Sequence, residues 1–434
     1  TRLFNPAIKL LPLNVVRKVF GNLTYEKVDM IGKYRFEESM EETEHLLKKQ
    51  ALCIASVASN LDNFNRSNVE LLLGLGYEVT LAANFHTKED INSQEKINEF
   101  AKEMRSKGVH IVHIDFSRKI GKIGQQIKSI MQVRKLLTRK FYLIHCHSPI
   151  CAAIVRAEAR KYRKSCGTKV FYTAHGFHFF KGAPLKNWML FYPIEKLMSC
   201  YTDVLITINH EDYRRAKKKF HAKKTVYIPG VGVDITQFRE GLVNREDKRK
   251  ELGLKDSDIM LLSVGELSVR KNHEIVFRAL AELGTHNVKY FIAGIGRLKE
   301  HYEVLVKKLG IQDQVVFLGY RTDISELCQT ADLYVFPSFQ EGLPMALMEA
   351  IACKTPVICS KIRGNEDLIK DNSCLFDPED SDSLVACIKE KIDWKSKDGT
   401  RKAMKESIQN NWYTLKKCDS HNIRTLMLAQ YQNV

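Results

Sequence analysis

The chain has 434 residues, of which 44% are hydrophobic and 27% are charged. This balance is typical of globular proteins and excludes wholesale disorder and a fibrous repeat. Lys and Arg outnumber Asp and Glu by 68 to 51, and the resulting net charge of +17 indicates an acidic partner: a nucleic acid, an anionic membrane surface or a phosphorylated substrate.

Residues 1–50 are predicted to form an N-terminal extension. The first twenty residues mix Arg and Lys with large apolar side chains and contain Pro6 and Pro12. This composition suits an arm lying on a membrane surface, and equally an arm packed on the protein. We expect neither a signal peptide nor a membrane-spanning helix. The eleven cysteines, an odd number without a Cys-x-x-Cys pair, favour a reducing compartment, so we expect a cytoplasmic protein.

From residue 51 onward, short apolar segments alternate with amphipathic ones, which predicts strands alternating with helices. The first series of predicted strands covers 51–58, 77–83, 109–114, 142–146, 169–173 and 204–208, with a turn over 59–66 and a helix over 68–75 between the first two. The second series covers 260–264, 290–293, 315–318, 333–336 and 357–359. This order predicts an α/β fold of two doubly wound parallel sheets that face each other across a cleft. The predicted domains are 51–230 and 231–414, followed by a helix in 415–434 that packs back on the first domain.

Two glutamates eight residues apart follow the predicted strand 333–336. Glu341 lies in the loop after the strand, and Glu349 lies about two turns into a helix that begins near Pro344. Because Gly342 has no side chain, backbone amides at this helix start can approach a diphosphate. A carboxylate on the helix can also accept hydrogen bonds from ribose hydroxyls. Taken alone, such a pair is more often two solvated side chains.

Two further loops follow predicted strands of the second series. Arg270 and Lys271 come shortly after Gly265 at a helix start, where they would neutralise phosphate oxygens. Gly294 and Gly296 form a tight turn after the next strand. A lone glycine pair is a weak signal, but the three loops together predict a nucleotide site.

The first half of the chain adds the stretches Ile144-His-Cys-His147-Ser-Pro149, Tyr172-Thr-Ala-His175-Gly176-Phe177 and Tyr227-Ile-Pro-Gly-Val-Gly-Val-Asp234. With these motifs, residues 51 to about 415 resemble the retaining glycosyltransferases of family 4, in particular bacterial enzymes of capsular and exopolysaccharide synthesis. The resemblance implies the GT-B architecture, with two Rossmann-like domains. It also implies sugar transfer from a nucleotide sugar, by family habit a UDP-sugar.

The resemblance assigns roles to individual residues. It implies that Glu341 touches the donor sugar, that Glu349 binds the ribose, and that His175 reaches the sugar from the first domain. Arg270 and Lys271 would stabilise the leaving diphosphate. The implied donor-binding positions also include Gly342, Leu343, Gly294 and Gly265. The implied acceptor-side positions are Asn63, Arg66, His147 and Phe177.

The family resemblance also concerns metal ions, cofactors and a general base. It implies no metal ion and no cofactor besides the donor, because cationic side chains and helix dipoles take the place of Mg²⁺. It implies no classical general base, since the donor's own phosphate takes the acceptor proton. One departure concerns Glu266, which stands where many relatives have an Arg; a carboxylate cannot bind phosphate.

The positive charge is concentrated in one part of the chain. Residues 101–230 contain 27 Lys and Arg against 7 Asp and Glu, a surplus of 20, so the remainder sums to −3. The cations come in helical runs such as 156–164, beside the aromatic stretches 177–180 and 188–192. Basic helical runs beside aromatic residues predict an anionic membrane surface and a lipid-pyrophosphate-linked glycan as partners. The alternative is that these runs are simply solvated surface.

Two other functions stay open from the sequence. A sugar-nucleotide epimerase shares the two-domain architecture, but the Glu341–Glu349 motif favours a transferase. A nucleic-acid-binding protein would explain the charge, but no recognisable nucleic-acid-binding motif accompanies it. We therefore predict a glycosyltransferase that extends a lipid-linked saccharide at the inner face of the cytoplasmic membrane, without a nucleic-acid partner.

Overall fold

The computed structural model describes residues 49–433 except 88–89, 91, 119–120, 239–240, 242 and 394–397. All but the end of the predicted N-terminal extension therefore lies outside the described residues, and its role stays a prediction. Within the described part of the chain, no helix is both long and apolar enough to cross a bilayer.

The first domain is built on a parallel sheet in the order β3-β2-β1-β4-β5-β6-β7. Its strands are β1 Gln50–Val57, β2 Glu78–Asn84, β3 His110–His113, β4 Leu143–His147, β5 Lys169–Ala174, β6 Val204–Thr207 and β7 Lys224–Tyr227. Its helices are α1 Ala58–Gly74, α2 Gln94–Ser106, α3 Ile123–Leu136, α4 Pro149–Ser165, α5 Leu185–Ser199 and α6 His210–Lys219. The central strands β1, β4 and β5 are buried along nearly their whole length because helices cover both faces of the sheet.

The second domain repeats this plan with a parallel sheet in the order β10-β9-β8-β11-β12-β13. Its strands are β8 Ile259–Val264, β9 Val288–Ala293, β10 Val315–Gly319, β11 Leu333–Phe336, β12 Val357–Ser360 and β13 Leu375–Phe376. Its helices are α7 Arg245–Glu251, α8 His273–Leu283, α9 Lys299–Lys308, α10 Ile324–Thr330, α11 Met345–Ala352, α12 Asn365–Leu368, α13 Ser381–Ile392 and α14 Asp398–Leu415. Both sheets reverse their strand order beside their first strand, the point at which doubly wound sheets bind ligands.

Each sheet is sandwiched between two apolar layers. In the first domain, α1 and α2 cover one face while α3, α4 and α5 cover the other. In the second domain, α8, α9 and α13 cover one face while α10 and α11 cover the other. The predicted architecture of two doubly wound α/β domains is confirmed.

A last helix, α15 Ser420–Gln432, returns to the first domain. Its residues Ile423, Met427 and Tyr431 are buried in the same apolar layer as α1. The chain enters this helix where Asp419 forms a parallel bridge with Val233. The end of the chain therefore lies against the first domain rather than the second.

The segment after β1 differs from its prediction. The sequence predicts a turn over 59–66 before a helix at 68–75, but α1 begins at Ala58, directly after the strand. Side chains that favour turns are held inside the helix by their neighbours: the amide of Asn65 donates to the Asn60 carbonyl, and Arg66 pairs with Asp62 one turn away. Local charge and amide pairing thus outweigh the turn preference of Asn and Asp.

Candidate active site

The loops that end β5 and β11 touch across the two domains. A Cβ on Gly342 would overlap the carbonyl oxygen of His175, and a Cβ on Gly176 would lie 3.2 Å from the Gly342 Cα. Only glycine allows the two backbones to approach this closely. The fold therefore brings the His175 stretch and the Glu341 motif together, although 166 positions separate them in the sequence.

Arg363 ties these two loops together, and sequence reasoning missed it. Its guanidinium donates to the carboxylate of Asp212 at 2.6 Å, to the carbonyl of Phe177, and to the carbonyl of Glu341 at 3.2 Å. The Arg363 and Asp212 side chains are only 3% and 0% exposed. One signal was available: Arg363 follows β12 at the same sheet edge as the predicted site.

Glu341 holds two cations beyond the carboxyl ends of β8 and β11 in the second domain. One of its carboxylate oxygens accepts from Arg270 at 2.7 Å and from Lys271 at 2.8 Å. Burial of Glu341 opposes its charged form, but Lys271 and Arg270 outweigh that effect and hold the pKa of the carboxyl below its usual value. The Lys271 ammonium also lies 4.6 Å from the centre of the Phe336 ring. The predicted diphosphate-binding cations and the predicted sugar-binding glutamate thus form one cluster.

Glu349 lies on α11 in a different environment. Its carboxylate makes no hydrogen bond or ion pair with any other described residue, and burial raises its pKa. A half-buried acceptor of this kind is satisfied only when water or a ligand hydroxyl reaches it. The two glutamates therefore differ: Glu341 is held by two cations, whereas Glu349 has open acceptor positions.

The glycine loops of the second domain lie against each other. The Gly265 amide donates to the Ala293 carbonyl, and a Cβ on Gly294 would overlap the Gly265 carbonyl oxygen. Beside these loops lies a cavity of about 620 Å³, a volume typical of small-molecule sites. The lining residues are Glu266, Ser268, Val269, Arg270, Arg297, Phe339 and Gln340. Leu343, also predicted to bind the donor, is 8% exposed and packs near Gly230.

His175 forms the opposite wall, from the first domain, and His147 and His145 lie buried behind it. The rings of His147 and His175 meet with 3.2 Å between Nδ1 and Nε2, and the ring of His145 lies 4.2 Å from that of His147. His145 also bonds the Tyr431 hydroxyl and the Thr173 hydroxyl. Burial lowers the pKa of His175 to about 4 and that of His145 to about 3, and holds the pKa of His147 well below its usual value. This wall is therefore uncharged at neutral pH.

Two of the four residues predicted on the acceptor side are buried. His147 is 1% exposed, so the prediction that it faces an acceptor is corrected. Phe177 is 2% exposed and stacks on Phe179 in the core, so the prediction that it faces an acceptor is corrected. Arg66 is engaged away from the loops described above: it pairs with Asp62 and Glu103 and stacks on Phe100. Asn63 is exposed on α1.

The cations of the basic run 156–164 do not all lie on the surface. Arg156 is 0% exposed, because its guanidinium pairs with Glu195 at 2.7 Å inside the domain. Arg163 makes a two-pronged ion pair with Asp203. Only Arg160, Lys161 and Lys164 of this run face solvent as cations. The run is therefore not the continuous membrane-facing surface that the sequence suggested.

No group of three or more His, Cys, Asp or Glu side chains among the described residues is arranged to hold a metal ion. The cations beside Glu341 are Arg270 and Lys271.

Comparison with known proteins places this geometry in context. Residues 66–237 match the family described as Glycosyltransferase Family 4, and residues 244–411 match Glycosyl transferases group 1. The putative glycosyltransferase EpsD of Bacillus subtilis (strain 168) is 36% identical over 329 residues, which cover 75% of this chain and 82% of that protein. The UDP-Gal:alpha-D-GlcNAc-diphosphoundecaprenol alpha-1,3-galactosyltransferase of Escherichia coli is 29% identical over 309 residues, covering 68% of this chain and 78% of that protein.

Solved structures show the same architecture. Anabaena HepE in complex with UDP and glucose matches 89% of this chain and 100% of its own, with a TM-score of 0.66 and 16% identity. WaaG, a glycosyltransferase involved in lipopolysaccharide biosynthesis, matches 88% of this chain and 99% of its own, with a TM-score of 0.63 and 18% identity. At these identities the likeness extends to the GT-B fold alone.

Proposed function

The chain belongs to glycosyltransferase family 4, and we propose that it transfers a hexosyl or N-acetylhexosaminyl group from a UDP-sugar to a lipid-pyrophosphate-linked saccharide, with retention at the anomeric carbon. The observation that carries this proposal is the Glu341 cluster: one carboxylate holds two cations, and the next residue, Gly342, lies against the loop of His175. Such a cluster combines charge for a leaving diphosphate with an acceptor for sugar hydroxyls.

The cations would act on the leaving group. Arg270 and Lys271 are held in place by Glu341 before any donor arrives, so little reorganisation is needed when a diphosphate takes a share of their hydrogen bonds. Preorganised donors of this kind stabilise charge that develops as the glycosidic bond breaks. Backbone amides at Gly342 and Leu343, at the start of α11, would add the helix dipole. Because protein cations supply this charge, we propose that transfer needs no metal ion.

The hydroxyl contacts would be divided between both domains. Glu349 has open acceptor positions, which suit the two ribose hydroxyls of a nucleoside. Glu341 and the neutral imidazole of His175 would contact the donor sugar from opposite sides. Gly265 and Gly294 let their two loops lie against each other, and we propose that the backbone of these loops approaches the nucleotide.

We propose retention partly because neither His175 nor Glu341 is a strong base. The three histidines have pKa values far below neutrality and would accept a proton only weakly. Glu341 is neutralised by two cations. We propose that the acceptor hydroxyl attacks from the face that the diphosphate leaves, and that a phosphate oxygen of the donor takes its proton.

Two observations support a lipid-pyrophosphate-linked acceptor: the name of a relative and the charge of this chain. The E. coli relative is named for a diphosphoundecaprenol acceptor, and the surplus of 20 cations in residues 101–230 suits an anionic lipid or a pyrophosphate. We place the reaction at the cytoplasmic face of the membrane, in the synthesis of a bacterial cell-surface polysaccharide.

Product analysis tests the proposal. The protein is incubated with a panel of UDP- and GDP-sugars, with EDTA, and with a saccharide linked through pyrophosphate to a short lipid. We expect one UDP-sugar to yield a glycosidic product with the donor's anomeric configuration by NMR. An epimerised nucleotide sugar formed without acceptor would show instead that the protein is an epimerase. Loss of activity in EDTA that Mg²⁺ restores would contradict metal independence.

A further inference from the structure

An apolar groove opens on the first domain between three helices. Residues of α3, α4 and α5 line a cavity of about 210 Å³, among them Ile130, Ile150, Ile154, Leu190, Phe191 and Ile194. The helix at its floor, α4, begins at Pro149, two residues after His147. Because helices of a parallel sheet begin at the carboxyl ends of the strands, the groove lies toward the cleft.

Two of the helices that line this groove, α3 and α5, also expose apolar side chains, which we call the rim side chains. On α3, Ile123, Ile127 and Met131 recur every four residues and are 69%, 55% and 64% exposed. The exposed apolar side chains of α5 are Leu185, Met189, Leu190, Ile194 and Leu197. These eight are half of the sixteen large apolar side chains exposed among the described residues. Such a concentration of exposed apolar side chains on two helices that line one cavity marks an interaction surface, unlike singly scattered apolar residues.

Cations border the same two helices. Lys135 lies one further turn along the α3 stripe, and Lys186 and Lys196 interrupt the apolar residues of α5. A second copy of the chain would set these positive rims against each other. An anionic leaflet offers negative headgroups to these lysines and hydrocarbon chains to the exposed apolar side chains.

We propose that this α3–α5 face is the surface by which the protein docks on an anionic bilayer, with the rim side chains among the acyl chains and the groove occupied by lipid hydrocarbon. It takes the place of the 156–164 run, whose Arg156 and Arg163 are committed to internal ion pairs. The inference rests on the proposed function, because a lipid-linked acceptor is what requires the cleft beside the groove to lie at a membrane.

Vesicle co-sedimentation of the full chain tests the proposal, with phosphatidylcholine and phosphatidylglycerol mixed 7:3. The double variant Ile127→Glu/Met189→Glu should lower the partition coefficient by about tenfold or more, because two apolar contacts with the leaflet are replaced by charges that it repels. The matched control is Val304→Glu on α9, a 67% exposed apolar residue of the second domain, which should bind as the wild type does. Equal binding of the double variant and the wild type would overturn the proposal.

Two further measurements distinguish bilayer docking from a dimer interface and from the transfer reaction itself. In analytical ultracentrifugation, a wild-type dimer that the double variant converts to monomers would assign this face to a second copy instead and overturn the proposal. Transfer to a water-soluble acceptor with a short alkyl chain should proceed equally in the double variant and the wild type. If the wild type transfers no sugar to any acceptor yet binds vesicles through this face, the proposed function fails while the docking surface stands.

Discussion

The two walls of the site differ in charge. The wall from the second domain carries a cluster of two cations and a glutamate. The wall from the first domain carries His175, which burial keeps neutral, as it does the buried His145 close behind. The difference suggests a division of labour. Under the proposed function, the second domain would stabilise the growing diphosphate charge during bond cleavage, and the first would contribute shape and uncharged hydrogen bonds.

The largest expected effect comes from the residue that joins the two walls. Arg363→Ala removes the closest cation from the buried Asp212 carboxylate. This carboxylate keeps Arg215 at 3.8 Å and a bond from the Phe177 amide. Loss of one member of a buried pair lowers the free energy of unfolding by about 3–5 kcal/mol, and because these contacts remain we expect the low end of that range. Urea denaturation measures the loss. The control is Arg278→Ala, which removes an exposed pair with Glu274 within α8 and should change the stability by less than about 1 kcal/mol. Similar losses in both variants would show that Arg363 does not hold the walls together.

The charged wall is tested by Lys271→Met, which keeps the contact with Phe336 and leaves Glu341 paired with Arg270. We expect kcat to fall by about 10²–10³-fold, the usual loss when one preorganised donor to a developing anion is removed. The unfolding midpoint should change little. Lys299→Met, an exposed lysine on α9, serves as the control for removal of a surface charge. A near-normal kcat in Lys271→Met would move the chemistry away from the Glu341 cluster.

The open carboxylate of Glu349 offers a sharper distinction, because function and stability should change in opposite directions. Glu349→Gln removes a charged acceptor for ribose, so donor binding should weaken by about 10- to 100-fold, equivalent to about 1.5–3 kcal/mol. Isothermal titration with UDP measures this change.

The stability effect of Glu349→Gln follows from proton binding. Because burial raises the pKa of Glu349, the folded chain binds more protons than the unfolded chain just above the usual value of 4.5, and stability falls as the pH rises through that interval. The neutral amide removes this penalty, so the ligand-free variant should melt at a higher temperature at pH 7. Glu300→Gln, on the exposed side of α9, should alter neither property. A variant that binds UDP normally would exclude Glu349 from the nucleotide site.

The same two walls show what sequence could and could not predict. Glu341, Gly342 and Glu349 lie within one short stretch, so the strand, loop and helix that position them could be predicted together. The ion pair of Arg363 and Asp212 could not be predicted, because 151 positions separate the two residues and only the packing of two domains joins them. Arg156 was misread for a similar reason: its run is typical of a solvated face, but Glu195, 39 positions later, draws its guanidinium into the interior.

The smallest expected effect concerns the neutral wall, and it tests whether that wall is neutral at all. Histidines whose folded pKa is near 4 or 3 bind fewer protons than in the unfolded chain, where the value is 6.5. Their contribution to stability is therefore complete above pH 6.5 and is lost progressively as the pH falls toward 4. His145→Gln removes one such group, so its stability should decline less than that of the wild type between pH 7.5 and 5. The control His286→Gln, an exposed histidine outside the cluster, should follow the wild type. If His145→Gln also declines as steeply as the wild type, a charged imidazole already exists in the folded state, and a proton-accepting role for the first domain would have to replace the uncharged one argued above.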